Sequence, residues 1–378
     1  MSEEPESKPV PAQEERRKSS TNSQVEKFRQ LIESLRKDKI LRVALLTHPC
    51  PDPDAIACMM GMEWLLKKIV GAECTKFYHG EISHPQNGSM VNLLAVDMKR
   101  INEEYTATDW DLHILVDTIP EYAGRGKHDN IKFDVVVDHH RDIPNGNFSG
   151  LLIHQKTGAC ASIVYDMMQE LVQEDVWLDD GIDNDTKVAT ALIAGIMTDT
   201  HFLLSEDSTE VDRHAFSQLF EYRNPNFLQQ IVFFKRRRFW IDCKAKATVD
   251  TSSEIDEEGF AIVGLGLIPE RERDLISDMA DEMVSWANVE TAVAFGVVGG
   301  DRIEGSVRSL DASLTVSDFC KRLGGRHGTG GGKQGKGAYQ LPLAGFSIDG
   351  DEDEADAKEA WESIKKRESK RIRRTLRK

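Results

Sequence analysis

His48, Asp52 and Asp54 fall within one short stretch, THPCPDPD, at residues 47–54. Two carboxylates crowded onto one turn beside an imidazole repel each other unless a cation lies among them, so the spacing is read as metal binding rather than surface solvation. Cys50 shares the turn, but thiolate chemistry there is the weaker reading. Further on, apolar runs end at Asp117 in LVDT, at Asp138, His139 and His140, and at Asp199 in TDT. One acid after a buried strand commonly caps the next helix. Repeated in alternating strand and helix segments, the arrangement predicts ligands converging along one edge of a sheet.

The elements that would carry these side chains follow from hydrophobic periodicity. An amphipathic helix is expected over 25–37, with Phe28, Leu31, Ile32 and Leu35 on one face. Runs 40–46, 74–78, 112–116 and 133–137 read as strands, and 55–70, 91–96, 159–172, 185–197 and 215–222 as helices. A further helix is expected from Asn224-Pro225-Asn226 unbroken through the KRRR cluster. Beyond it the pattern changes to strands over 260–267, 291–298 and 303–307 and helices over 274–286 and 316–323. The organisation expected is a disordered leader over 1–22, an α/β domain over 23–225, a linker helix over 226–246, a smaller α/β domain over 247–346, and an acidic then basic tail over 347–378.

The second domain holds GSVRSL, with Arg308 and Ser309, and then GGRHGTGGGKQGKGA over 324–338, with Arg326, His327, Gly330, Gly331, Gly332 and Lys333. Glycines admit positive φ and close backbone approach, and exposed N–H groups can cradle an anion. The run lies between a helix and a strand, which favours anion binding over a linker, with Arg308, Arg326 and Lys333 as charge partners. It lacks G-x-x-x-x-G-K-[ST] and is not a P-loop.

Composition narrows the class. The 378 residues suffice for two or three domains. No apolar run reaches the roughly 20 residues of a membrane span, and the polar leader has no secretory core. Six cysteines without a C-x-x-C pair argue against structural zinc or a disulfide framework and for a reducing cytoplasm. Formal net charge is −16, yet residues 365–378 carry +8, leaving −24 on the remainder. Such a body repels polyanions at long range, so an anionic substrate needs local attraction from metals or arginines.

The ordered motifs H-x-x-x-D-x-D, Asp117, DHH and TDT resemble the DHH phosphoesterase superfamily, and GSVRSL with the glycine-rich run resembles its DHHA1 domain. TGACASIVYDMM and GIMTDTHF look most like the nanoRNase/pAp phosphatase branch. The resemblance implies a DHH domain with a mainly parallel sheet flanked by helices, then a smaller α/β DHHA1 domain. It implies two manganese ions, with magnesium as the alternative: His48, Asp52 and Asp117 on one, and Asp54, Asp117, His139 and Asp199 on the other. Asp117, Asp138, His139 and His140 form the implied catalytic set, with Asp138 orienting the histidines. His140, Arg308, Ser309, Arg326, His327, Gly330, Gly331, Gly332 and Lys333 are the implied substrate contacts.

The activity expected is hydrolysis of short oligoribonucleotides or adenosine 3′,5′-bisphosphate (pAp) by two-metal activation of water. Cyclic dinucleotides and polyphosphate are the alternative substrates. A reading from another class is a weakly catalytic nucleic-acid-binding protein acting through its basic tail, with RNA meeting residues 365–378. A homodimer is left open. Three departures from the family pattern stand out: Pro53 between the two acids, GGG followed by Lys333 with His327 the nearby histidine, and His201 after TDT.

Overall fold

The computed structural model describes residues 12–36, 39–101, 105–123, 131–144, 148–172, 178–179, 181–251, 256, 259–333, 335–343 and 354–376. The chain divides into two compact units, residues 1–82 with 86–235 and residues 83–85 with 236–378.

The first unit runs α1 (Ala12–Leu35), β1 (Arg42–Leu46), α2 (Pro53–Val70), β2 (Glu73–Tyr78), α3 (Pro85–Leu93), β3 (Met98–Arg100), β4 (Leu112–Val116), β5 (Val135–Asp138), β6 (Leu151–His154), α4 (Cys160–Leu171), α5 (Asp183–Asp199), α6 (Glu210–Leu219) and α7 (Pro225–Val232). Its six strands are all parallel, in the order β3-β2-β1-β4-β5-β6. Strands such as LHILV and VVVD are buried along their whole length, as a parallel sheet covered on both faces demands. Phe28, Ile32, Met59, Trp64, Ile163 and Leu192 belong to the larger core. Ala44, Phe77, Leu115 and Val136 belong to a smaller one. From central β1 the chain builds outward through β2 and β3, then returns to lay β4, β5 and β6 on the other side. The switch point between β1 and β4 is where such sheets open a crevice at the carboxyl ends of their strands.

The second unit runs α8 (Arg238–Thr251), β7 (Phe260–Ile268), α9 (Leu275–Met283), β8 (Thr291–Val298), β9 (Arg302–Ser309), α10 (Val316–Gly324), β10 (Thr329–Lys333), β11 (Lys336–Pro342) and α11 (Glu354–Leu376). Its sheet has the order β10-β11-β9-β8-β7, with only β7 and β8 parallel. Trp240, Met279 and Met283 fill one core, and Phe295, Phe319, Trp361 and Ile372 another.

Several expectations are corrected. α1 starts at Ala12, inside the stretch read as a disordered leader, because residues 12–18 are strong helix formers; residues 1–11 lie outside the described residues. β3 and β6 have three and four residues, too short to show a period. α3 spans Pro85–Leu93 rather than 91–96. The linking helix is two helices, interrupted between Val232 and Arg238. A pair of phenylalanines and four consecutive like charges disfavour helix there. Arg236, Arg237 and Arg238 of the KRRR cluster are paired with Asp278, Glu272 and Asp242.

The basic tail is no loose extension. α11 buries Trp361 and Ile372, and its buried Glu368 accepts hydrogen bonds from Tyr339 Oη (2.7 Å) and Arg371. The buried positions 361, 368 and 372 recur at helical spacing, but the acid among them hides the stripe in sequence. Lys366, Arg367, Lys370 and Arg374 are exposed. Among the described residues no helix is long and apolar enough to cross a membrane.

Candidate metal centre

β1 and β4 pair side by side, so the turns that follow them meet. Thr47 Oγ1 ties the two ends together by donating to the Val116 carbonyl at 3.0 Å. His48 follows β1, and Asp52 is the N-cap of α2, accepting from Ala55 N–H at 3.0 Å. Pro53 occupies the first turn of α2, where its fixed φ suits a helix start. Asp117 follows β4 in a left-handed conformation (φ 57°), a strained position for a residue with a side chain. His139 follows β5, and Asp199 closes α5.

The ligating atoms converge. His48, Asp52 and Asp117 form one group within 4.8 Å, Asp54, His139 and Asp199 a second, and Asp117, His139 and His140 a third. Asp117 stands between the histidines, with Oδ2 3.6 Å from His48 Nε2 and Oδ1 3.4 Å from His139 Nε2. His139 Nε2 is also 3.4 Å from Asp199 Oδ2, and His48 Nε2 is 3.8 Å from Asp52 Oδ1.

Both imidazoles are locked from behind. His48 Nδ1 lies 2.9 Å from the Pro49 carbonyl, and His139 Nδ1 lies 3.0 Å from the Thr157 carbonyl. A carbonyl only accepts, so each Nδ1 carries a proton and Nε2 is the ring atom turned on the carboxylates, free to ligate once its own proton is displaced. Among the described residues, buried Asp117 Oδ1 and His139 Nε2 have no hydrogen-bond partner. Two such atoms facing each other call for a cation, and mixed imidazole and carboxylate donors suit manganese. The residues fit the implied ions.

Electrostatics agree. Burial would lower the pKa of His48, but the carboxylates of Asp117 and Asp52 hold it well above its ordinary value. His139 is likewise opposed by burial and raised well above its ordinary value by Asp117, Asp54 and Asp199. Burial raises Asp54, reinforced by the charges of Asp117 and Asp199. Asp117 resists burial and is held below the ordinary range by His139 and His48. The protein alone thus stores protons where a metal ion would place positive charge.

Asp138 is fully buried and orients only His140, whose Nδ1 is 2.8 Å from Asp138 Oδ1; His139 takes its orientation from Thr157. This corrects the expectation that Asp138 orients both histidines. His140 is half-exposed at the rim. Sequence reading missed Thr157 and Asp212 as supports of the cluster. Asp212 forms a capping box with Thr209 at the start of α6, and the T-x-x-D pattern was its signal.

The substrate residues expected in the second unit are partly committed elsewhere. Arg308 donates from Nε and Nη2 to both oxygens of Asp281, at 2.5 and 3.0 Å, and from Nη1 to Ser306 Oγ. Ser309 Oγ shares a hydrogen bond with Thr291 and accepts from Asp311 N–H, so its hydroxyl is not free for a ligand. Arg326, His327 and Lys333 are exposed. The glycine-rich run is largely a hairpin rather than a loop: Gly330, Gly331 and Gly332 lie in edge strand β10. A Cβ on Gly330 would stand 2.1 Å from the Cys320 carbonyl oxygen, so close packing on α10 accounts for that glycine, whereas the space beside Gly331 is open.

Fold and cluster together define a parallel α/β domain with a histidine–aspartate metal-binding centre at its switch point. Residues 42–196 match the model of the DHH family, N-terminal domain. An uncharacterized protein of Methanocaldococcus jannaschii is 27% identical over 322 residues, 85% of this chain and 62% of that one. The probable manganese-dependent inorganic pyrophosphatase of Streptococcus pyogenes serotype M5 is 25% identical over 178 residues, 47% of this chain and 54% of that one. The chain therefore spans less than two thirds of the length of either relative. The crystal structure of an exopolyphosphatase-related protein from Bacteroides fragilis has the same fold, with a TM-score of 0.64 at 13% identity, covering 93% of this chain and 98% of that one.

Proposed function

We propose that this protein is a metal-dependent phosphoesterase acting on short oligoribonucleotides and on 3′,5′-bisphosphonucleotides such as pAp, in the manner of the nanoRNase/pAp phosphatase branch. The observation that carries the reading is Asp117, whose two oxygens face His48 on one side and His139 on the other. One carboxylate serving two clusters is the arrangement a pair of divalent ions needs. When bound, such a pair lowers the pKa of water to give a nucleophile and offsets the charge on the leaving oxygen.

The protein's own part is positional. The Pro49 and Thr157 carbonyls fix both imidazoles in the Nδ1–H tautomer, so neither ring needs to turn to offer Nε2. Asp52 is held by the helix it caps. His140 holds a proton readily, because Asp138 outweighs the opposing effect of burial. With Nδ1 engaged, its Nε2 is left to meet a phosphate oxygen or protonate a leaving group. The manganese named for the streptococcal relative supports the metal assignment.

A hydrolysis panel with manganese tests the reading: pAp, the dinucleotide pApA, cyclic di-AMP, pyrophosphate, polyphosphate and a long single strand. Turnover of pAp and pApA is expected. Asp117→Asn should lower it by more than the roughly 10–100-fold that loss of a ligand's hydrogen-bond partner costs, with an unchanged circular dichroism spectrum. Turnover of inorganic substrates alone would refute the nucleotide assignment, and an active, manganese-replete Asp117→Asn would refute the site.

A further inference from the structure

α4 opens without a capping side chain. Its N-cap is Ala159, and the N–H groups at a helix start have no partner within the helix. Two carboxylates from elsewhere meet the N–H groups at and just before this start. Asp54 accepts from Cys160 N–H (2.7 Å) and Ala161 N–H (2.9 Å), and Asp212 accepts from Gly158 N–H (2.8 Å) and Ala159 N–H (3.2 Å). Asp212 is fully buried and takes three more hydrogen bonds, from Ser162 Oγ (2.6 Å), Thr209 N–H (2.7 Å) and Thr209 Oγ1 (2.7 Å). Five donors fix this carboxylate in place.

We infer that Asp212 is a positioning residue for the metal centre, acting through one peptide group. The N–H of Gly158 and the C=O of Thr157 belong to the same planar peptide and point in opposite directions. Asp212 holds the N–H end, and His139 Nδ1 donates to the C=O end at 3.0 Å. The peptide is strung between a carboxylate and an imidazole, so Asp212 sets the plane on which the His139 ring is hung. A negative charge at the N–H end also polarises the carbonyl and strengthens its pull on the Nδ1 proton. That raises electron density at Nε2, where the ring faces Asp117 and Asp199. Because the same helix start holds Asp54, Asp212 steadies two of the expected ligands.

Gly158 is part of the device. A Cβ there would stand 2.6 Å from Thr200 Cγ2 and 3.0 Å from Asp212 Oδ2, so a side chain would crowd Thr200 and press the carboxylate away from the peptide by a few tenths of an ångström. Ser162 offers the contrast: it donates to Asp212 but lies beyond the peptide that carries His139.

The inference rests on the metal reading of the site and is tested by manganese titration of the full chain, with circular dichroism and thermal unfolding as fold checks. Asp212→Asn turns an amide NH2 toward the donors. It should weaken manganese binding by about 10–100-fold, the range for hydrogen-bond partners of metal ligands, with the native spectrum kept. Gly158→Ala should do the same from the other side and decides the matter should Asp212→Asn fail to fold. Ser162→Ala should lower the unfolding temperature and leave affinity unchanged. Normal affinity in folded Asp212→Asn or Gly158→Ala, or an equal loss in Ser162→Ala, would reduce Asp212 to a packing role and overturn the inference. A wild-type chain that binds no manganese would overturn the metal reading itself.

Discussion

Gly195 on α5 approaches Asp54 on α2 so closely that a Cβ would stand 2.9 Å from Asp54 Oδ1 and 3.0 Å from its Cα. Alanine normally stabilises a helix interior over glycine by about 1 kcal/mol. Here the added methyl meets backbone and a carboxylate already bound to the start of α4, so the sign should reverse. Gly195→Ala is expected to destabilise by roughly 1–3 kcal/mol, the usual cost of overpacking, and to weaken manganese binding. Denaturant unfolding and metal titration check both. A stabilised variant with normal metal affinity would show that α5 simply moves aside.

The cluster should make stability depend on pH in opposite ways with and without metal. His48 and His139 are raised well above their ordinary values, and Asp54 is raised too. The folded, metal-free protein therefore holds protons that the unfolded chain releases. Where the native state binds more protons, stability falls as pH rises. The histidine contribution is complete below about pH 6.5, the unfolded value, and is lost as pH rises through the folded values. Asp117 acts oppositely, its contribution lost as pH falls through its depressed folded value in strong acid. The metal-free unfolding temperature should therefore decline from near-neutral pH into alkali. The increase produced by manganese should grow over the same range, because the ions displace those protons. A manganese shift that stays flat with pH would remove the histidines from the ligand set.

Arg308 is pre-oriented by Asp281, so any phosphate it grips must displace a carboxylate. If it is the substrate clamp of the proposed phosphoesterase, Asp281→Asn should lower KM for pAp by freeing the guanidinium. Arg308→Gln should cost roughly 2–5 kcal/mol in nucleotide hydrolysis, as removing one partner of a desolvated charge pair does, while bis-p-nitrophenyl phosphate is hydrolysed as before. The ratio of nucleotide to generic-ester activity is the measurement. A ratio unmoved by both variants makes the pair a structural bridge within the second unit.

The C-terminal helix separates two roles that its composition confuses. Ile372 is fully buried, so Ile372→Ala should cost about 2–5 kcal/mol, and removing the helix should disrupt the second unit. Lys366, Arg367, Lys370 and Arg374 are exposed on it, and if RNA meets residues 365–378, as the alternative reading of the sequence has it, it meets these four. Changing these four to glutamine should leave folding intact and weaken short-RNA binding. The salt slope should shrink by about 0.7 for each single-strand phosphate that the variant no longer neutralises. Equal affinity at low salt in both proteins would exclude RNA from this face.

The motif strands and their terminal side chains were legible without a structure. A strand buried on both faces must be a continuous apolar run, and the first polar residue after it must lie at the sheet edge. That logic is local, and it places His48, Asp117 and His139 at the carboxyl ends of β1, β4 and β5. It fails for β3 and β6, which are too short to show a period, and for α11, where Glu368 interrupts an otherwise readable stripe.

Strand order was not local. Nothing in the spacing from residue 46 to residue 112 says that β4 lies against β1 while β2 and β3 turn the other way. That choice lets Asp117 face His48 on one side and His139 on the other, and it depends on which apolar faces bury best together. The supports behind the ligands are equally non-local. Asp212 reaches a peptide 54 residues away, Thr157 a histidine 18 residues away, and Asp281 an arginine 27 residues away. Such partners are selected by packing, because a buried polar group must find its hydrogen bond wherever the fold brings one. Residue types and order determined which chemistry was available; only the tertiary structure decided which atoms face one another to perform it.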